Sequence, residues 1–158
     1  MKEDVVVRKC EASDLDGIKP VFREFVAFHT SIDSSFVKVE KHEELFADFI
    51  SGYLDSETSM VLAAVRRDEL IGYCIGMIQE KPPVYPEPRY GYVDNLCVLE
   101  KYQRSGVGKL LFVEMRNWFS SKGVKRIEIF AALGNRKSTA FWRKMGFTPY
   151  LEEMYLKI

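Results

Sequence analysis

The fold is decided by the stretch YGYVDNLCVLEKYQRSGVGKLLFVEMRNWFSSK, residues 90–122. Residues 90–99 are rich in apolar and aromatic side chains and read as a strand. A short loop then ends in Gln103-Arg104-Ser105-Gly106-Val107-Gly108, after which apolar residues recur at helical spacing. Two glycines permit a tight turn, and a helix start adds unpaired N–H donors and the positive end of a dipole. The unit therefore predicts a phosphate-binding site.

Two common phosphate motifs do not fit this turn. A Walker loop requires Gly, four residues and then Gly-Lys-Ser/Thr, but Gln103 stands five residues before Gly108 and Leu110 follows Lys109. A dinucleotide-binding GxGxxG motif requires a third glycine, where this chain has Leu111. The pattern that remains is QxxGxG between a strand and a helix.

That pattern resembles the pyrophosphate motif of the GNAT superfamily of acyl-CoA-dependent N-acetyltransferases. A second motif of this family, Asn followed seven residues later by an aromatic residue and then by Gly-Phe, has its counterpart in Asn135, Trp142, Gly146 and Phe147. The resemblance implies an α/β fold of the α+β type, the GNAT fold, with a mixed central sheet of about six to seven strands flanked by about four helices. We expect a single domain over residues 1–158.

The order of the predicted elements is compatible with that fold. Strands are predicted at residues 5–10, 60–66, 71–79, 90–99 and 126–131, and helices at 13–29, 41–54, 108–122 and 135–145. Residues 147–151 and 154–158 can add one or two closing strands. Gly72 and Gly76 indicate a bulge or a close backbone approach in the third strand.

The charge is unevenly distributed although the net charge is zero. Residues 101–144 contain 11 Lys+Arg against 2 Asp+Glu, and the rest of the chain carries the matching acidic excess. The basic part coincides with the proposed phosphate turn, which suits a ligand with a pyrophosphate and a ribose phosphate. Nucleic acid is less favoured as a partner, because no groove-reading motif or aromatic RNA platform accompanies the charge. Residues 11–57 contain 11 acids against 4 bases, which weakly favours a cationic amine as the second ligand.

Several other classes of protein are disfavoured. The chain lacks an apolar run long enough to span a membrane and begins with a charged segment, so we expect a cytoplasmic protein without a membrane partner. Cys10, Cys74 and Cys97 lack CxxC spacing and are expected to be reduced core thiols. His29 and His42 do not have metal-binding spacing, so we expect no metal.

The resemblance also implies where acetyl-CoA binds. In the family, a bulge separates the strand before the turn from the next strand, and the pantetheine amides bind there as an added strand would. A backbone N–H near Leu96 or Cys97 would then stabilise the thioester oxygen. The cofactor-binding residues implied are Leu96, Cys97, Val98, Gln103, Arg104, Ser105, Gly106, Val107, Gly108, Lys109, Asn135, Ser138 and Trp142.

Asp94 is the candidate general base. A free amine with a pKa near 10 is mostly protonated at neutral pH, so acetyl transfer requires removal of a proton. Strand alternation predicts that Asp94 shares a face with Tyr92, Leu96 and Val98 in an otherwise apolar segment. Asp94 also matches a carboxylate that removes the proton through water in polyamine-type relatives. The alternative is that Asp94 and Asn95 only satisfy a bulge. Tyr92 and Glu128 are the second choices for the base.

The group that protonates the leaving thiolate is not the one that many family members use. They place a Tyr seven residues after the motif Asn, where this chain has Trp142. Trp142 either fills the core beside Phe141 and Met145 or contacts the thiol end of the cofactor. A thiol pKa near 8.5 makes thiolate a fair leaving group, and a positioned acid adds only about 10²- to 10⁴-fold. Water, Tyr150 or Tyr155 could protonate the thiolate instead.

The sequence therefore predicts transfer of an acetyl group from acetyl-CoA to a primary amine by direct attack in a ternary complex. The expected acceptor is a small cationic metabolite such as a polyamine, an amino sugar or an amino acid. A protein N-terminus or lysine is the alternative acceptor. The segments 30–39 and 81–89 could cover a small pocket. A non-catalytic acyl-CoA binding or sensing module and a basic nucleic-acid binder are the other classes considered, and a homodimer is left open.

Overall fold

The computed structural model describes residues 4–158, which form one five-stranded sheet in the order β1-β2-β3-β4-β5. The strands are β1 (Val5–Lys9), β2 (Ser59–Arg66), β3 (Glu69–Glu80), β4 (Arg89–Val98) and β5 (Ile127–Ile129). Strands β1 to β4 are antiparallel neighbours, and β5 is parallel to β4. The helices are α1 (Leu15–Ile32), α2 (His42–Ser51), α3 (Val107–Ser121) and α4 (Arg136–Lys144). This mixed α/β architecture confirms the predicted fold class.

Each face of the sheet carries its own hydrophobic cluster, because side chains alternate along a strand. Helices α1 and α2 cover one face, which we call the α1–α2 face, and bury Ile18, Ile50 and Tyr73 there. Helices α3 and α4 cover the opposite, α3–α4 face, where Met115 and Phe119 are fully buried. The sheet therefore separates two cores.

Strand β3 approaches its neighbours closely at the two glycines that the sequence singled out. A Cβ at Gly76 would lie 2.3 Å from Met115 Sδ, and a Cβ at Gly72 would lie 2.8 Å from the Cys97 carbonyl oxygen. The strand registers also shift beside these positions, in the β2–β3 pair and the β3–β4 pair. Both the predicted bulge and the predicted close approach are confirmed.

Glycines follow the ends of two helices. Gly123 follows α3 with φ 74°, and Gly146 follows α4 with φ 100°. These left-handed conformations are ones that side chains disfavour, which explains the residue type. The β2–β3 hairpin is a two-residue turn in which Arg67 and Asp68 also have positive φ, 47° and 65°.

Residues 147–158 differ from the prediction. They form neither closing strand, so the described residues contain five strands and the predicted number of six to seven is wrong. The β5 edge that they would have to join is only three residues long and offers few backbone partners. Instead the Tyr150 ring lies 4.6 Å from the Arg126 guanidinium, and the Tyr155 hydroxyl accepts a hydrogen bond from Ser35 Oγ at 3.3 Å. The tail thus reaches the connection between α1 and α2.

Within residues 4–158, no helix combines the length and the hydropathy that a bilayer crossing needs. The same residues contain no group of three or more His, Cys, Asp or Glu side chains arranged to hold a metal ion. All three cysteines are free and buried.

Candidate active site

Strand β4 is paired on both sides along its first half and on one side along its second. Pairing with β5 stops at Val93, opposite Ile129, whereas pairing with β3 continues to Val98, opposite Gly72. The register against β3 shifts at Asp94, which is the extra residue of a β-bulge. Beyond Val93 the outer edge of β4 therefore has backbone groups that β5 does not pair. The strand opens beside the segment that the resemblance implied.

The bulge inverts the alternation of side chains along β4. Leu96 and Val98 pack on the α3–α4 face, while Cys97 is buried on the α1–α2 face. The Asp94 carboxylate accepts a hydrogen bond of 2.9 Å from Asn95 Nδ2, and Asn95 lies with residues of α1 and α2. The expectation that Asp94 shares a face with Leu96 is therefore wrong, because strict alternation does not survive an extra residue.

The turn after β4 is held by its own residues. Gln103 Nε2 donates a hydrogen bond to the Val98 carbonyl at 3.0 Å, which ties the turn to the end of the strand. Arg104 has φ 60° and Gly106 has φ 91°. The left-handed conformation at Gly106 is the one that glycine adopts without strain, and α3 begins directly after it.

The start of α3 has free backbone donors. Its first intrahelical hydrogen bond runs from the Leu110 N–H to the Gly106 carbonyl, at 3.1 Å. The N–H groups of Val107, Gly108 and Lys109 precede that bond and have no helical partner, and they lie at the positive end of the helix dipole. The Val107 side chain, 2% exposed, anchors the turn in the α3–α4 core. The arrangement can bind an anion.

The second motif lies at the start of α4. Asn135 is buried, and its Oδ1 accepts a hydrogen bond of 3.0 Å from the Ser138 N–H, so Asn135 caps the helix. Trp142 is 8% exposed and meets the Phe112 and Phe147 rings edge to face, at 5.5 and 5.2 Å. The structure thus places Trp142 in the core, the first of the two interpretations that the sequence allowed.

The three candidate bases differ in their surroundings. Burial, followed by the negative charge of Asp94, raises the pKa of Tyr92 to about 12, so its hydroxyl is protonated at neutral pH. Glu128 accepts hydrogen bonds from Lys81 and from Arg126. These bonds hold the pKa of Glu128 below its ordinary value although burial acts in the opposite direction. Of the two candidate carboxylates, Glu128 forms salt bridges and Asp94 forms none within residues 4–158.

The sequence motifs did not single out Tyr73. Its side chain on β3 is fully buried, and among the described residues its hydroxyl has no hydrogen-bond partner. The neighbouring Cys97 thiol donates instead to Asn95 Oδ1, at 3.7 Å. Burial raises the pKa of Tyr73 well above its ordinary value and that of Cys97 to about 12. Alternation in β3 could have predicted that Tyr73 is buried, but no motif marks its position beside Asn95.

A pocket of about 460 Å³ lies next to this polar group. Asn95 is its contribution from the sheet, and its walls come from α1, α2 and the segment that connects them. Four of the side chains that line it are aromatic: Phe22, Phe25, Phe36 and Phe46. The sequence predicted that residues 30–39 could cover a small pocket, but not that α1 and α2 form its walls.

The family model described as "Acetyltransferase (GNAT) family" matches residues 24–147. No curated protein matches the chain. Solved structures of similar fold include the tetramutant of the BH1408 protein from Bacillus halodurans, with a TM-score of 0.87 and 19% identity, covering 97% of this chain and 99% of that one.

Two aminoglycoside acetyltransferases also share the fold. One is meta-AAC0020 from an uncultured soil metagenomic sample in complex with sisomicin, with a TM-score of 0.74, 16% identity and coverage of 99% and 98% of the two chains. The other is AAC(6')-Iy in complex with CoA, with a TM-score of 0.77, 13% identity and coverage of 98% and 94%. At these identities the likeness shows the fold alone, whereas the family model extends over most of the sequence and both motifs. The chain belongs to the acetyltransferase (GNAT) family.

Proposed function

We propose that this protein transfers the acetyl group of acetyl-CoA to the primary amine of a small cationic metabolite, by direct attack in a ternary complex. The observation that carries the proposal is the one-sided pairing of β4 after Val93, directly before the turn at residues 103–108. An open strand edge offers backbone donors and acceptors to the pantetheine amides. The turn and the start of α3 offer N–H donors to the pyrophosphate.

The residues present fit this cosubstrate. A Cβ at Gly108 would meet protein atoms only at 3.5 Å or more, so core packing does not require a glycine there, and the missing side chain keeps the backbone open to a ligand. Arg104 and Lys109 are exposed beside the turn and can neutralise phosphate charge. Backbone groups of Leu96, Cys97 and Val98 would hold the pantetheine arm. Bound acetyl-CoA supplies the acetyl group as a reactive thioester.

Asp94 is proposed as the general base. The ammonium of the acceptor gives its proton to Asp94 directly or through water, and the freed amine attacks the thioester carbonyl carbon. The N–H near Leu96 or Cys97 stabilises the oxygen as it becomes negative. The nitrogen then gives its second proton to solvent, the carbon–sulfur bond breaks to leave the amide, and the thiolate takes a proton from solvent, since Trp142 is committed to the core. Tyr92 remains protonated and acts as a hydrogen-bond donor.

A small acceptor is favoured over a protein. The pocket beside Asn95 is bounded by α1, α2 and their connection, and its volume of about 460 Å³ falls in the range of small-ligand sites. The pocket is open to solvent, and its volume rather than enclosure favours a metabolite over a protein N-terminus or a lysine side chain on a folded protein. The aminoglycoside acetyltransferases of similar fold, bound to sisomicin and to CoA, agree with an amine acceptor and a CoA cosubstrate.

Release of free CoA from acetyl-CoA, measured with a panel of primary amines, tests the activity. We expect steady turnover with at least one small amine. A protein that acetyl-CoA protects against thermal unfolding, but that releases no CoA with any amine, would be a binding or sensing module instead.

Replacing Asp94 tests the base. Asp94→Asn should lower kcat by about 10²- to 10⁴-fold, because proton removal is lost, and leave the dissociation constant of acetyl-CoA nearly unchanged. Asp68→Asn is the matched control, since it removes a carboxylate from the exposed β2–β3 turn in a conformation that Asn tolerates. An unchanged kcat in Asp94→Asn would show that Asp94 is not the general base and has only a structural role in the bulge.

A further inference from the structure

The pocket beside Asn95 has continuous aromatic walls. The Phe22 and Phe46 rings stack with centroids 3.6 Å apart and planes 9° apart, which joins α1 to α2. Phe25 of α1 extends this wall, and Phe36 faces it from the connection between the two helices. Burying apolar carbon against such a surface lowers the free energy of binding, whereas a chain of ammonium groups finds few polar partners there.

The formal charge at the pocket, that of Lys38, has the sign that repels a polycation. Within the described residues no Asp or Glu lines the pocket. The Lys38 ammonium is held at the rim, where it donates to the Phe36 carbonyl at 2.9 Å. Glu43, the neighbouring acid on α2, forms a salt bridge with Arg23, with an N–O distance of 2.7 Å. A second ammonium on the acceptor would therefore meet a positive charge and no carboxylate.

The polar groups of the site are confined to one end of the pocket. Asn95 donates to Asp94 there and accepts from the Cys97 thiol. Tyr73, whose hydroxyl is fully buried and without a hydrogen-bond partner in residues 4–158, lies opposite Cys97 in the β3–β4 pair. This end of the pocket adjoins the open edge of β4, so a ligand in the pocket would have its polar end at the strand and its apolar part between the helices.

We propose that the acceptor is a primary monoamine with an aromatic or branched apolar skeleton, and that the pocket of Phe22, Phe25, Phe36 and Phe46 binds this skeleton while Asp94 and Asn95 receive the amine. The inference rests on the proposed function and narrows it. A monoamine is a cation in water, and it gives up that charge at Asp94 before it reacts. The apolar skeleton of the monoamine matches the aromatic walls of the pocket.

The first test compares phenethylamine with spermidine as acceptors, each over a range of concentrations, by release of CoA. We expect kcat/KM for phenethylamine to exceed that for spermidine by about tenfold or more, since one well-filled apolar pocket is worth that much in discrimination. Faster turnover of spermidine would overturn the inference and leave the proposed function intact. Release of CoA with neither amine nor any other of the panel would overturn both.

The second test places a carboxylate on the pocket wall. Leu45 lines the pocket from α2 and is 55% exposed, so Leu45→Asp should fold. It should lower kcat/KM for phenethylamine by about tenfold and leave that for spermidine equal or higher. Phe49→Asp is the matched control, because Phe49 is a half-exposed apolar residue one turn further along α2 that does not line the pocket. Equal selectivity in both variants would show that the skeleton binds elsewhere.

Discussion

The two faces of the sheet are packed differently. On the α3–α4 face the backbone of the sheet touches α3 so closely that a Cβ at Gly91 would lie 2.8 Å from the Phe119 ring. On the α1–α2 face aromatic side chains such as Phe22 and Phe46 border a pocket of about 460 Å³. The turn proposed for the cosubstrate is built on the tight face and the proposed acceptor pocket on the open one. Substitutions on the first face should therefore cost stability, and substitutions of the side chains that border the pocket should change selectivity.

The largest expected effect concerns Trp142 on the tight face. Trp142→Ala should reduce the free energy of unfolding by about 3–5 kcal/mol, because it removes a buried ring that contacts Phe112 and Phe147. Denaturant unfolding measures this. Trp118→Ala is the control, since Trp118 on α3 is only partly buried and should cost clearly less. A loss below about 1 kcal/mol in Trp142→Ala would contradict the description of this face as tightly packed.

Adding a single methyl group at Gly76 comes next. Gly76→Ala should destabilise the protein by about 1–3 kcal/mol, because the new Cβ would overlap Met115 Sδ. Thermal or chemical unfolding measures the difference. The matched change Gly52→Ala puts a Cβ 3.5 Å from the Phe49 carbonyl, an ordinary contact, and should stay within about 0.5 kcal/mol of the parent. Equal stability of the two variants would mean that α3 can move away from the sheet freely.

Removal of one charge tests the cosubstrate side without disturbing either core. Arg104→Gly keeps the left-handed turn conformation and should weaken acetyl-CoA binding by about 3- to 10-fold, since an exposed cation facing phosphate contributes modestly. Titration calorimetry gives the dissociation constant. Arg67→Gly is closely matched, because Arg67 is also exposed and has φ 47°, but it lies in the β2–β3 turn. Equal affinities for the two variants would place the phosphates elsewhere.

The smallest effect concerns pH. The hydrogen bonds from Lys81 and Arg126 hold the pKa of Glu128 below its unfolded value of about 4.3. Its contribution to stability is therefore complete above that value and is lost as the pH falls through the folded pKa. Glu128→Gln should flatten the acid limb of stability measured by thermal unfolding between pH 3 and 6. Glu57→Gln, which removes an exposed carboxylate before β2, should keep the parent slope.

Features set by neighbouring residues were predictable from the sequence. The turn at Gly106, the cap at Asn135 and the helix end at Gly146 each depend on a few adjacent positions, and the structure has all three. The pocket was not predictable in this way, because its walls come from two helices, their connection and β4. Nothing in the spacing of Phe22 and Phe46 indicates that their rings stack.

Two of the sequence-based predictions were wrong for physical reasons that a sequence pattern does not show. The face of Asp94 was misassigned because one extra residue in β4 inverts every later side chain. Residues 147–151 and 154–158 were expected to add one or two closing strands, but a sequence pattern shows only that a segment can pair. Whether it pairs depends on a free edge, and β5 provides three residues of one.

The segment Leu96 to Val98 divides its chemical groups among three directions. Its amides and carbonyls on one side project within the plane of the sheet, while Leu96 and Val98 point to one core and Cys97 points to the other. The proposed recognition of the pantetheine arm through the main chain is therefore independent of side-chain identity here. The three side chains can be exchanged to suit the two cores, and the row of backbone donors and acceptors at the open edge persists unchanged.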